Sequence, residues 1–290
     1  MLKFYKKGHH KKRKIKMVID AINLYQETIN YELMWASIQN SNLKKVDELK
    51  HSQLPLNIQD VRADIENFFK DLPKNFSIIT NESYQYPALL KETYIKKLYF
   101  KGDISLLEAP KKISIVGARK ATDNGKTRAR HLAKLLTEEG FVIVSGLAAG
   151  IDTEAMQSTI KHSGHLIGVI GTPINEYYPK ENKSLQDEVA QKHLLLSHVP
   201  FFKYSKQPFA TKKFYFPERN AVMAAVSDAT VIVEASETSG TLTQARACME
   251  MGRKLFILNS CFENGLKWPH TYEDRGAIRV SSIDDILRHF

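Results

Sequence analysis

The sequence predicts an α/β fold. Its centre is a doubly wound, mostly parallel, extended Rossmann-like sheet, preceded by a small helical N-terminal region. Three observations predict it. From Lys111 onward short apolar runs alternate with helical patterns, the rhythm of βα units joined by right-handed crossovers. Runs such as Thr230-Val-Ile-Val and Leu255-Phe-Ile-Leu are continuously apolar, as strands covered on both faces must be. The runs at 113–117 and 141–145 both end in glycine turns, at the sheet edge where such folds bind ligands.

Residues 1–16 form a basic tail. Its eight lysines and arginines face no acid and account for +8 of a net charge of +10. The high pI is therefore mostly a property of the tail, and argues weakly for nucleic acid by itself. The tail contacts phosphates or is simply a solvated start; the sequence favours neither. Residues 17–75 read as helical. Ile15, Val18, Ile19, Ile22 and Tyr25 keep helical spacing, as do Leu43, Val46 and Leu49, and later Val61, Ile65, Phe68 and Phe69, with Pro55 between two of these helices. This region carries no visible chemistry and reads as a cap or a partner-binding module.

The third segment, 76–290, is the extended Rossmann-like domain. It opens with a strand at Phe76–Thr80 and a second at Leu98–Phe100, read as an edge strand stopped by Gly102. Strands follow near 113–117, 141–145, 165–170, 193–197, 229–234, 254–258 and 277–280. Helices fall near 124–138, 151–162, 182–191, 217–227, 241–251 and 283–288. In the first of these Arg128, His131, Leu132, Leu135 and Leu136 recur at helical spacing, and Gly140 closes the helix.

Composition narrows the function classes. With 43% apolar and 26% charged residues the chain reads as an ordinary soluble protein. The tail is not followed by an uninterrupted apolar core, and no run reaches the ~18 residues of a membrane span. Cys248 and Cys261 have no C-x-x-C or histidine-pair context, so neither a metal site nor a disulfide framework is expected. A cytoplasmic location fits. No cofactor and no membrane partner are expected.

Chemistry concentrates in the loops after the strands. There is no G-x-G-x-x-G and no G-x-x-x-x-G-K-[ST]. Instead Gly117-Ala118-Arg119 sets a guanidinium directly after the first strand of the βα series. Ser145-Gly146 opens the turn after the second, and Asp152 there is read as capping the helix that follows. Ser239-Gly240-Thr241 starts a helix after Glu234, where hydroxyls and free N–H groups suit a phosphate. Plain N-capping explains any one such loop; several on one edge favour a ligand. Lys212-Lys213-Phe-Tyr-Phe216-Pro-Glu-Arg219-Asn220 interleaves cations with aromatics, which suits single-stranded nucleic acid. The competing explanation is a strand with Phe214 and Phe216 turned inward.

In order, Val116-Gly-Ala-Arg119, Ser145-Gly-Leu-Ala-Ala-Gly-Ile-Asp152, Tyr178-Pro-x-x-Asn182, Phe216-x-x-Arg219-Asn220 and Glu234 followed by Ser239-Gly-Thr resemble the DNA-processing protein A (DprA/Smf) family. Tyr86-Pro87 and Leu98–Gly102 resemble that family's lead-in, so the resemblance spans about residues 84–260. Ala149, Met156 and Ala221 depart from its pattern, and the chain ends without room for the family's winged-helix domain; it reads as a divergent member. The resemblance implies a non-enzymatic protein that binds and protects single-stranded DNA and passes it to a RecA-type recombinase in natural transformation. It implies a phosphate pocket of Gly117, Arg119, Ser145, Gly146, Lys213, Arg219, Asn220, Ser239, Gly240 and Thr241, with Phe216 as a stacking ring. A homodimer is expected. The alternative is a nucleotide-binding protein similar to phosphoribohydrolases of the cytokinin-activating type, or a nucleotide-signal sensor. Glu234 and Ser239-Gly240-Thr241 resemble the P-G-G-x-G-T-x-x-E loop of those enzymes, but the paired glycines are missing and Gln244 replaces the last glutamate.

Overall fold

A computed structural model describes residues 23–38, 42–49, 58–83, 86–263 and 265–290. The basic tail, the helical stripe expected at Ile15–Ile22 and the break at Pro55 lie outside the described residues.

Nine strands form one sheet in the order β1-β2-β6-β5-β4-β3-β7-β8-β9. They are β1 (Ser77–Thr80), β2 (Lys97–Gly102), β3 (Lys112–Gly117), β4 (Val142–Ser145), β5 (Leu166–Ile170), β6 (Leu194–Ser197), β7 (Ala229–Glu234), β8 (Lys254–Leu258) and β9 (Ile278–Val280). Strands β3 to β9 pair in parallel, and the β1–β2 and β2–β6 pairs are antiparallel. The antiparallel margin corrects one sequence expectation. Strand β2 is not an edge; it lies between β1 and β6, and its Leu98 and Tyr99 are fully buried.

The order runs outward from β3 through β4, β5 and β6 in one direction, then restarts with β7 on the other side of β3. Chain direction across the sheet therefore reverses between β3 and β7. A crevice opens outside the carboxyl ends of strands at such a reversal.

Helices cover both faces. In α5 (Asp123–Glu138) the buried residues Gly125, Ala129, Leu132, Ala133 and Leu136 recur three or four apart, one apolar stripe of a 3.6-residue period. It packs on α6 (Ile151–Lys161), and α10 (Tyr215–Val226) packs on α11 (Thr241–Glu250). Strand β3 is buried at Ile113, Ile115 and Val116, so successive side chains are covered on both faces.

The N-terminal helices are α1 (23–36), α2 (Leu43–Glu48) and α3 (Ile58–Lys70). Tyr31 and Trp35 of α1 are fully buried. The Tyr31 ring lies 5.4 Å from Tyr99 and the Trp35 ring 5.7 Å from Tyr215, and the Tyr31 hydroxyl donates to the His198 carbonyl at 2.6 Å. Between them Glu32 is wholly buried. It accepts from the Tyr99 hydroxyl at 2.6 Å and from the Phe201 and Phe202 amides at 2.8 and 2.9 Å, the first free N–H groups of α8 (Phe201–Lys206). A carboxylate at a helix N-terminus is favourable, but burial outweighs these donors and pushes the Glu32 carboxyl up to about 7.

Candidate nucleic-acid cleft at the sheet reversal

The crevice predicted by the strand order is present. A cleft of about 750 Å³ lies over the ends of β3 and β7, walled by α5, α10 and α11. Its floor is a β-irregularity. The β3–β7 register shifts between Val116 and Gly117, and the Ala118 amide donates to the Glu234 carbonyl at 2.7 Å. Gly117 is fixed there by crowding, because a Cβ would stand 2.8 Å from the Glu234 carbonyl.

Two devices hold the neighbouring loops. Gly150, with φ +82°, lets the β4–α6 loop lie against the β3 loop; a Cβ would fall 2.3 Å from the Ala118 carbonyl. Asn182 then donates its amide to the Leu147 carbonyl and the Thr153 hydroxyl, both at 2.8 Å. Asp152, expected to cap its own helix, works outside it: its carboxylate accepts from the Gly146 amide at 3.0 Å. Gly150 is the N-cap of α6.

Arg219 is buried beneath the cleft. Its Nη1 donates to the Gly146 carbonyl and, at 3.2 Å, to the Val169 carbonyl, while Nε donates to Asn220 Oδ1 at 3.0 Å. Burial lowers its pKa to about 10, against the attraction of Asp152. Burial likewise raises the Asp152 carboxyl, with Arg219 pulling it back. The desolvated Arg219 thus ties the ends of β4 and β5 to α10 through the Gly146 and Val169 carbonyls. Asn220 continues the tie, donating to the Gly240 carbonyl at 3.0 Å.

The exposed wall differs. Arg119 and Lys120 after β3 and Arg128 on α5 line the cleft, and none of them forms a salt bridge among the described residues. Arg119 stands with its guanidinium carbon 5.3 Å from the Phe216 ring centroid, and Tyr178 packs on the same ring at 5.1 Å. Gly171 makes room for that ring, since a Cβ would meet it at 2.7 Å. On the opposite side the Ser239 hydroxyl donates to Thr241 Oγ1 at 2.9 Å and accepts the Thr241 amide at 3.2 Å.

The structure thus brings Gly117, Arg119, Phe216, Arg219, Asn220, Ser239, Gly240 and Thr241 to one cleft. Gly146 lines a small side pocket with Arg119 and Phe216. Ser145 lies beneath, fully buried, its hydroxyl donating to the Ile115 carbonyl at 2.8 Å; it shapes the strand end without facing the cleft. Lys213 does not line the cleft. It is exposed just after α9 (Phe209–Lys212), its ammonium 5.6 Å from the Phe214 centroid. Phe216 sits in a helix rather than a strand. The helical turn buries Tyr215 and leaves Phe214 and Phe216 on other sides.

Sequence reasoning missed Lys120 and Arg128 as cleft residues. Arg128 keeps the spacing of the α5 apolar stripe, and periodicity alone assigned it there. Its position one turn into a helix that starts at a strand end was the available signal. Glu234 is also engaged: its carboxylate accepts from the Thr122 amide at 2.9 Å and the Thr122 hydroxyl at 2.6 Å, locking the α5 N-cap to β7. No described helix is long and apolar enough to cross a membrane.

Comparison with known proteins agrees with this architecture. The family profile described as DNA recombination-mediator protein A matches residues 77–290. The DNA processing protein DprA of Bacillus subtilis (strain 168) is 37% identical over 239 residues, 78% of each chain. That of Streptococcus pneumoniae is 36% identical over 231 residues, 79% of this chain and 78% of its own. The X-ray structure of the Streptococcus pneumoniae protein superposes with a TM-score of 0.72 at 32% identity, covering 87% of this chain and 88% of that one. A structure of DNA processing protein A from Helicobacter pylori, concerned with its single-stranded DNA binding mode, superposes with a TM-score of 0.61 at 30% identity over 74% of this chain and 94% of that one. With the matched profile spanning the whole sheet and the cleft at its reversal, the chain belongs to the DNA recombination-mediator protein A (DprA) family.

Proposed function

We propose that this protein binds single-stranded DNA without sequence preference along the carboxyl edge of its parallel sheet. The observation that carries the proposal is the Arg119–Phe216 pair. It sets a guanidinium free of carboxylates beside a half-exposed ring, at the mouth of a cleft that Lys120 and Arg128 also line. A cation can hold the phosphate while a ring stacks the base, and every base offers a face to stack on. Arg219, Asn220 and the Ser239–Thr241 turn shape the cleft from below and behind.

The family suggests the wider role. The bound strand is protected and passed to a RecA-type recombinase during DNA uptake, by a cytoplasmic homodimer that acts without turnover. Residues 1–16 add phosphate contacts as a basic tail, and residues 17–75 make up a helical N-terminal region ahead of the family match. The phosphoribohydrolase alternative is not favoured, because the Glu234 carboxylate it needs is occupied by Thr122.

Labelled single- and double-stranded oligonucleotides of equal length, with nucleoside monophosphates as competitors, test the proposal. Tighter binding of the single strand, undisturbed by the monophosphates, is expected. Equal affinity for the duplex sinks it. Release of free base from a monophosphate, lost in Glu234→Ala, revives the enzyme.

A further inference from the structure

The segment between β6 and α10 carries an aromatic, basic surface that the cleft does not use. Phe209 on α9 is 86% exposed and Phe214, two residues before Phe216, is 53% exposed. Lys206, Lys212 and Lys213 lie on the same segment. Their ammonium groups lie 5.5 Å from the Phe202 ring centroid, 4.1 Å from Tyr204 and 5.6 Å from Phe214. None forms a salt bridge with a described carboxylate, although the charge of Lys212 reaches Glu176.

This exposure is held in place. Pro208 caps α9, and its carbonyl accepts the Thr211 amide at 3.0 Å and the Thr211 hydroxyl at 2.8 Å. The Phe214 amide then donates to the Thr211 carbonyl at 3.1 Å. Tyr215, fully buried, anchors the far end and donates its hydroxyl to Gln207 at 2.9 Å. The short helix α9 and the turn that follows it, fastened at both ends, present one ring each to solvent, although large apolar side chains favour burial. The cleft approaches this surface at Tyr178, 44% exposed, which packs on Phe216 at 5.1 Å and lies within electrostatic reach of Tyr204, the ring beneath Lys212.

We propose that Phe209 and Phe214, with Lys206, Lys212 and Lys213, form a second stacking platform that carries the single strand outward from the cleft. The inference rests on the single-stranded DNA proposal above. It extends that site from one pocket to a track, in which rings outside the cleft stack further bases and lysines follow the backbone. The occupant is fixed by the chemistry of the surface. Interleaved rings and unpaired cations match a polyanion with stackable bases, whereas an apolar protein interface is depleted in lysine.

The test compares homopolymeric deoxythymidine oligonucleotides of about 6 and about 20 nucleotides, lengths chosen around the footprint of single-strand binding modules. The double variant Phe209→Ala/Phe214→Ala should bind the short oligonucleotide like the parent. It should bind the long one at least about fivefold more weakly, at an unchanged salt slope, because stacking neutralises no phosphate. Lys206→Ala/Lys212→Ala should flatten the salt dependence for the long oligonucleotide alone. Both pairs lie on the surface, and an unchanged unfolding transition confirms that they fold. Parental affinity of the ring variant for both lengths overturns the inference. So does equal weakening for both lengths, which would place the rings in the cleft. A change in sedimentation without a change in DNA binding also overturns it, and assigns the surface to a protein contact. If the parent itself binds neither oligonucleotide, the single-stranded DNA proposal fails first.

Discussion

The Arg119 guanidinium stands over the Phe216 ring, 5.3 Å from its centroid, with no carboxylate in salt-bridge range. The first comes from the end of β3 and the second from the first turn of α10, about a hundred residues later in the chain. They meet because the sheet reverses direction between β3 and β7, and the β6–β7 connection returns over that gap.

Mutating the two should give different losses. Phe216→Ala should cost ~1–3 kcal/mol of single-strand binding with the salt slope unchanged. Phe216→Tyr should restore it. Arg119→Lys keeps the charge but loses the planar fork and its stack, so it should weaken binding while the slope stays near that of the parent. Fluorescence anisotropy titrations at several salt concentrations separate the two. Phe216→Ala binding as tightly as the parent would place the bases elsewhere.

Arg219 should behave as a structural residue. Its loss takes the guanidinium from the Gly146 and Val169 carbonyls and removes the attraction that offsets burial of the Asp152 carboxylate, which keeps the Gly146 amide. Leaving buried acceptors unsatisfied costs about 1–3 kcal/mol. Urea unfolding of Arg219→Ala should show that loss at an unchanged m-value. A stable Arg219→Ala that fails only to bind DNA would make the guanidinium a direct phosphate ligand.

Glu32 should make stability depend on pH. Its folded pKa of about 7 lies above the ordinary 4.5, so between those values the native state holds a proton the unfolded chain has lost. Stability from this group is greatest below about 4.5 and declines as pH rises through about 7. The full decline corresponds to about 3 kcal/mol. Glu32→Gln turns an NH2 toward one of the three donors and should cost ~1–3 kcal/mol, but it removes that slope. Thermal unfolding of both proteins between pH 5 and 8 reads the difference. Parallel curves would mean that Glu32 titrates normally.

Gly171→Ala should weaken DNA binding without unfolding the protein. The new Cβ would meet the Phe216 ring at 2.7 Å, and a half-exposed ring can swing outward to relieve it, leaving Arg119. A roughly fivefold loss of affinity is expected, about one stacking contact. It should be absent when Phe216 is already alanine. An additive loss in the double variant would show that the glycine acts elsewhere.

How much of this was legible in the sequence follows from what each signal measures. The strands from β3 to β9 and the six helices expected from Lys111 onward match their apolar runs to within a residue or two, because burial on both faces writes itself directly into continuous hydrophobicity; the short helices α8, α9 and Trp268–Glu273 carry no such run and were not expected. Strand β2 was misassigned to an edge for the opposite reason. Neighbours in a sheet are a property of pairing, and nothing within Leu98–Phe100 says that β1 will cover its outer side. Lys120 and Arg128 were passed over because helical spacing reports which face a residue lies on, and does not report which loop that face meets.

The sequence by itself therefore determined the βα series, the glycine turns at the strand ends, and the residue types from which a phosphate-binding edge is made. The tertiary structure divided those residues by task. Arg119 follows strand β3 and Arg219 lies on helix α10; they are the same side chain, yet one is solvated beside a ring and the other is desolvated against backbone carbonyls and Asp152. The physical reason is that burial and partnership are set by elements far apart in the chain. Free charge can meet a phosphate only where packing has left it in water, and that is decided when α10 closes over the ends of β4 and β5.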